Sequence, residues 1–156
     1  MANAQPLRMT EPQKSKDETE IRQSIESFIR AFRAKDVQGI LACYAPNVVA
    51  FDMMPPLRHN GIQSWRKVWE QSIPMMDGTI DAEVRDLTID VASSGDMALC
   101  HGLNHFVMKG GKEDADMWFR WTAGFHKING KWLVTHEHTS VPSEMESGKA
   151  LMELKP

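Results

Sequence analysis

Residues 28–52 read FIRAFRAKDVQGILACYAPNVVAFD, and three kinds of patterning follow one another inside them. Phe28, Ile29 and Phe32 continue a helical repeat begun at Ile21 and Ile25, which gives one apolar helix face turned toward a core. Asp36 stands where its carboxylate can cap a short second helix, with Val37, Ile40, Leu41 and Tyr44 on one side and Pro46-Asn47 ending it. A strand predicted from about Val48 to Met54 then carries Asp52, with Val48, Val49, Ala50 and Phe51 before it and Met53, Met54, Pro55 and Pro56 after it. Little nearby in sequence solvates or neutralises that carboxylate. An acid in apolar surroundings has its pKa raised by desolvation, which suits proton transfer near neutral pH. A surface Asp ahead of a Pro-Pro turn is the plainer reading of the same residues.

Upstream, residues 1–16 are polar, carry Pro6 and Pro12 and show no periodicity, so they read as a disordered leader. The first helix is expected from near Asp17, where Ser15 with Glu18 or Asp17 with Glu20 forms a capping box. Downstream, Asn60 is placed to cap a third helix carrying Ile62, Trp65, Val68 and Trp69 on nearly one face. After Asp77-Gly78 the period changes to two, and the chain reads as strands to about Val141, separated by Ser93–Asp96, Gly110-Gly111 and Asn129-Gly130. Residues 143–156 are a short helix or a loose tail. The expectation is one α+β domain over 17–142 in which helices cover a curved antiparallel meander.

The chain has 156 residues, a formal net charge of -3 and a pI near 6.1. Its lysines and arginines are scattered, which leaves no footprint for nucleic acid. No apolar run approaches a membrane span, and the N-terminus lacks a secretory h-region. The two cysteines, Cys43 and Cys100, have no metal-ligand spacing and fit a reducing compartment, so a cytoplasmic protein is expected.

On the late strands, alternation places Trp118, Arg120 and Thr122 on one face and Phe119, Trp121, Ala123 and Phe125 on the other. A two-residue turn at Asn129-Gly130 pairs residues whose numbers total 259, setting Trp121 opposite His138 and Thr122 opposite Glu137. A single β-bulge reverses that partnership, so the face that lines a cavity stays open. Arg120 either grips a ligand oxyanion or pairs with Glu137 or Asp116. His136 and His138, with His101 or His105, have strand spacing compatible with a metal, but packed histidines explain them more simply, and neither a metal nor a cofactor is expected.

The stretch 28–52, the helix GIQSWRKVWE and the ending GKWLVTHEHTSVP, in this order, resemble the SnoaL-like and ketosteroid-isomerase-like domains of the nuclear transport factor 2-like superfamily. The resemblance covers about residues 17–142. It implies a cone-shaped α+β barrel that commonly dimerises through its sheet, in a group holding isomerases, polyketide cyclases, dehydratases and non-catalytic association domains. Aligned on Asp36 and Gly39, Asp52 falls at the general-base position of ketosteroid isomerase. Phe28 falls where that enzyme has its oxyanion-hole tyrosine, and a phenyl ring cannot donate a hydrogen bond; the partner acid falls near Thr122, where this chain has no carboxyl group. The expectation is therefore a homodimer binding a small hydrophobic or carbonyl-containing ligand. Asp52 is the candidate base, and Tyr44, Trp65, Trp69, His101, Arg120, Trp121 and His138 are candidate pocket residues. The chemistry is either proton transfer of the isomerase, cyclase or dehydratase type or none at all, in a domain that only binds or associates.

Overall fold

The computed structural model describes residues 10–156. Helix α1 spans Glu11–Arg33, starting six residues before the expected Asp17. Pro12 lies in its first turn, where a missing N–H has no intrahelical partner to lose. Of the expected leader, residues 1–9 lie outside the described residues. Asp17 is not a cap. Its side chain is 1 % exposed and accepts hydrogen bonds from Lys127 Nζ at 2.7 Å and Trp132 Nε1 at 3.2 Å, which tie the helix to the last hairpin. Burial pushes its pKa up, but the bonds from Lys127, Gln13 and Trp132 outweigh that and hold it below the ordinary value.

Asp36 caps α2 (Val37–Leu41) by accepting from Gly39 N at 3.0 Å. A Cβ on Gly39 would lie 2.5 Å from an Asp36 carboxylate oxygen, so the cap needs glycine there. Strand β1 runs Tyr44–Phe51, four residues earlier than the sequence predicts. Tyr44 therefore opens a strand instead of closing a helix, and Asp52 lies just past the strand end. Strand β2 is the pair His59–Asn60, with Asn60 against Val49. The cap of α3 (Ile62–Ser72) is Gly61, at φ 77°, and not Asn60. Strands β3 (Thr79–Val91), β4 (Met97–Lys109), β5 (Ala115–Ile128) and β6 (Lys131–Ser140) form the expected antiparallel meander. Asn129 and Gly130 both have positive φ, as a tight hairpin turn between right-twisted strands requires.

The sheet order is β2-β1-β6-β5-β4-β3, with β1 parallel to β6. The six-stranded sheet is therefore mixed and open, within an α+β fold. Helices α1 and α3 cover one face, burying Ile21, Ile25, Phe32 and Trp65 against Ile80, Cys100, Ala123, Phe125 and Val134. Among the described residues no helix is long and apolar enough to cross a membrane.

One irregularity decides what faces the helices. Pairing of β5 with β6 follows the expected register from Ile128–Lys131 to Phe125–Val134, then shifts so that Gly124 meets His136. Thr135 is the extra residue, and its hydroxyl donates to Gly124 O at 3.2 Å. Beyond this bulge Ala123 faces Glu137 and Trp121 faces Thr139, in place of the His136 and His138 that unbroken alternation predicts.

Candidate functional site

Between the helices and the sheet lies a cavity of about 350 Å³. Its aromatic wall is continuous. Phe28 meets Tyr44 and Trp69 edge-on at 6.2 and 5.8 Å between centroids, Trp65 meets Tyr44 and Trp69 at 6.2 and 5.6 Å, and Phe32 bridges Trp69 to Phe106. Helical spacing of Phe28 with Phe32 and of Trp65 with Trp69 points these rings the same way. Met152 reaches the cavity from the C-terminal tail, which folds back through a Ser143–Ala150 bridge and a contact of 3.3 Å from Lys155 Nζ to Asp116.

Three carboxyl groups interrupt the apolar lining: Glu83, which sits 3.4 Å from His105, and the pair Glu137 and Asp52. Glu137 is 8 % exposed; it accepts from the Tyr44 hydroxyl at 2.9 Å on Oε1 and from Trp121 Nε1 at 3.1 Å on Oε2. Burial drives its pKa up and the Asp52 charge adds to that; the bonds from Trp121 and Tyr44 oppose it, and the balance falls at about 7. Burial and the Glu137 charge likewise raise the Tyr44 phenol well above its usual value. Asp52 is partly buried. Its Oδ1 accepts from Met53 N at 2.8 Å and Thr139 Oγ1 at 3.0 Å. Neither bond uses Oδ2.

Of the candidate catalytic and pocket residues, Asp52, Tyr44, Trp65, Trp69 and Trp121 line this cavity, as do Phe28 and His105. His101, Arg120 and His138 do not. The β4–β5 register is unbroken, so His101 shares a row with Thr122 and His138 on the other face of the sheet, and Arg120 pairs with Leu103 on that same face. Arg120 cannot pair with Glu137 across the sheet, and Asp116 is held instead by His105 at 2.9 Å and by Lys155. His136 bonds Val49 O through Nδ1 at 2.8 Å and packs, with His138, on Phe51. Among the described residues no three His, Cys, Asp or Glu side chains are grouped to hold a metal. Sequence reasoning missed Glu137 as a cavity acid. The available signal was that Glu137 is the lone acid on its strand, two residues from Thr135.

The chain belongs to the SnoaL-like domain family, whose model matches residues 21–144. Its structure is similar to that of an NTF2-like protein of unknown function from Pseudomonas putida KT2440, with 40% identity, a TM-score of 0.82 and coverage of 91% of this chain and 98% of that one. It is also similar to a protein from Novosphingobium aromaticivorans provisionally named a scytalone dehydratase, at 11% identity, TM-score 0.74 and coverage of 84% and 87%. A provisionally named dehydratase of the NTF2-like family from Streptomyces avermitilis gives 14% identity, TM-score 0.70 and coverage of 81% and 96%. These two show the fold alone. No curated protein matches the chain.

Proposed function

We propose that the cavity binds a small, mostly apolar carbonyl or ring compound and moves a proton on it, as isomerases, cyclases and dehydratases do. The observation that carries this reading is the buried Glu137, held by Tyr44 and Trp121 and coupled to Asp52 in an apolar enclosure. In this reading Asp52 Oδ2 is the base. Glu137, titrating near 7, is poised to hold or release a proton at neutral pH. When Glu137 is protonated it no longer needs the phenol as donor, so the Tyr44 hydroxyl is free to turn to a developing enolate oxygen. That would supply the stabilisation that Phe28, a phenyl ring, and Thr122, on the other face of the sheet, do not. Two structural neighbours carry provisional dehydratase names, but at 11% and 14% identity they share the fold, and the proton-transfer reading rests on the site itself.

A second reading, a domain that binds without catalysis, draws on one observation: both Glu137 oxygens are already satisfied. The discriminating experiment is thermal unfolding of the wild type and Asp52→Asn against aromatic enolate mimics, small carboxylates and lipophilic ketones. A ligand at about 100 times its Kd stabilises by roughly 2.7 kcal/mol. Stabilisation by enolate mimics that changes with Asp52→Asn supports proton transfer. Stabilisation indifferent to residue 52 supports binding alone, and none by any class overturns both.

The sheet face opposite the helices carries exposed Phe51, Met97 and Leu99. We infer that it forms a homodimer interface; a monomer by sedimentation at micromolar concentration would refute this. The free thiols of Cys43 and Cys100 fit a reducing, cytoplasmic setting.

A further inference from the structure

We propose that Asn104 is a second polar anchor of the cavity and makes it selective for rigid, elongated ligands with an oxygen function at each end. The inference rests on the reading of the cavity as a ligand pocket. Asn104 lines it from β4, between Val84 and Phe119 on the neighbouring strands. Its side-chain oxygen is enclosed and has no hydrogen-bond partner among the described residues. The indole N–H groups of Trp65 and Trp69, in the wall that runs from Tyr44 toward Phe106, are enclosed and unpartnered in the same way; Trp65 lies close enough to the Tyr44 oxygen to lower that phenol's pKa, but without hydrogen-bond geometry. Buried polar groups in folded proteins are paired. Three orphaned ones around a single apolar cavity mark where a ligand's own polar atoms belong.

The register gives the length. Cys100 shares a row with Ala123 and Glu137, and Asn104 lies four residues further along β4. The offset is about 13 Å along the strands and about 10 Å across two of them, hence roughly 16 Å between the two backbone positions. Both side chains rise from the same face of the sheet, so the Tyr44–Glu137 pair and the Asn104 amide are separated by a comparable span. Ligand oxygens hydrogen-bonded to the Tyr44 hydroxyl at one end and to Asn104 at the other lie on the order of 10 Å apart. A single aromatic ring is too short to bridge them. Two linked or fused rings with a hydroxyl or carbonyl at each pole fit, and the aromatic wall offers their faces a surface between the poles. An amide both accepts and donates, so Asn104 suits either polar function.

The experiment is titration calorimetry of 4-hydroxybiphenyl and 4,4′-dihydroxybiphenyl with the wild type, Asn104→Leu and, to keep the shape and an acceptor, Asn104→Asp. The wild type is expected to bind the dihydroxy compound at least tenfold more tightly. Asn104→Leu should reduce that ratio to within twofold while leaving the monohydroxy compound's affinity within threefold, and Asn104→Asp should retain a preference of at least fivefold. Equal affinities in the wild type, or a preference surviving in Asn104→Leu, would overturn the anchor and leave the pocket reading standing. If neither compound binds the wild type, the pocket reading fails and the anchor fails with it.

Discussion

The Tyr44 hydroxyl donates to Glu137 Oε1 at 2.9 Å although the two residues are 93 positions apart in the chain. Parallel pairing of β1 with β6 brings them together, with Tyr44 in register with Val134 and Ala50 with Glu137. The strand that opens with the phenol and the strand that carries the acid are thus sheet neighbours, and the site is assembled where the long meander returns to the first strand.

Stability should depend on pH through Glu137. The unfolded chain releases this proton near 4.5 and the folded protein near 7. Between those values the folded state binds more protons, so stability falls as pH rises and levels off above about 7. At 1.36 kcal/mol per unit the loss is roughly 3 kcal/mol. Urea unfolding at pH 4.5, 6 and 7.5 should show this decline in the wild type, superimposed on what other groups contribute, and a decline smaller by about that amount in Glu137→Gln.

Removing the phenol should move Glu137 further up. The Tyr44 bond favours the carboxylate, so Tyr44→Phe is expected to raise the Glu137 midpoint above 7 and to cost about 1–3 kcal/mol for the lost buried partner. Carbon-detected NMR titration of the Glu137 carboxyl reads the midpoint directly. A downward shift would contradict the assigned sign.

The clamp between α1 and the last hairpin should be worth more than a surface ion pair. Asp17 is buried, whereas Lys127 keeps partial access to water. Among the described residues, Lys127→Met leaves the carboxylate Trp132 and Gln13 as donors, and it should destabilise by about 1–3 kcal/mol. Because the Asp17 pKa is depressed by its partners, the wild-type advantage is present above the ordinary carboxylate pKa and is lost as pH falls through the folded value. Chemical unfolding of both proteins at pH 7 and pH 3 checks magnitude and direction together.

Phe125, 1 % exposed beneath the cavity, should be the costliest truncation among the sheet aromatics. Phe125→Ala is expected to lose about 3–5 kcal/mol, whereas Phe51→Ala, on the partly exposed outer face, should lose less than half as much in the monomer. Equal losses would mean that the helices do not cover the sheet face assigned to them.

The fold was legible because its signals are local and repeated. Ile21, Ile25, Phe28 and Phe32 mark one helix face, Asp36 caps where expected, and Asn129-Gly130 turns as a tight hairpin does. The family resemblance carried Asp52 and, with the helical spacing, the aromatic wall. The start of α1 was misjudged because Pro12 reads as a breaker unless it is already known to occupy a first turn. The largest miss, Glu137, has a single cause. Alternation is a parity rule, and one extra residue at Thr135 inverts it for everything beyond. No residue type obliges a bulge at Thr135, so sequence alone places His136 and His138 toward Ala123 and Trp121 as readily as Glu137 and Thr139.

That bulge also makes the chemistry of the cavity separable from its composition. The same six residues, Thr135 to Ser140, hold two alternative sets of functional groups, an imidazole pair on one side and a carboxyl with a hydroxyl on the other. Which set the interior receives depends on where the strand gains its extra step. A descendant could exchange an acid-lined chamber for a histidine-lined one by relocating a single backbone irregularity, with every one of those six side chains retained.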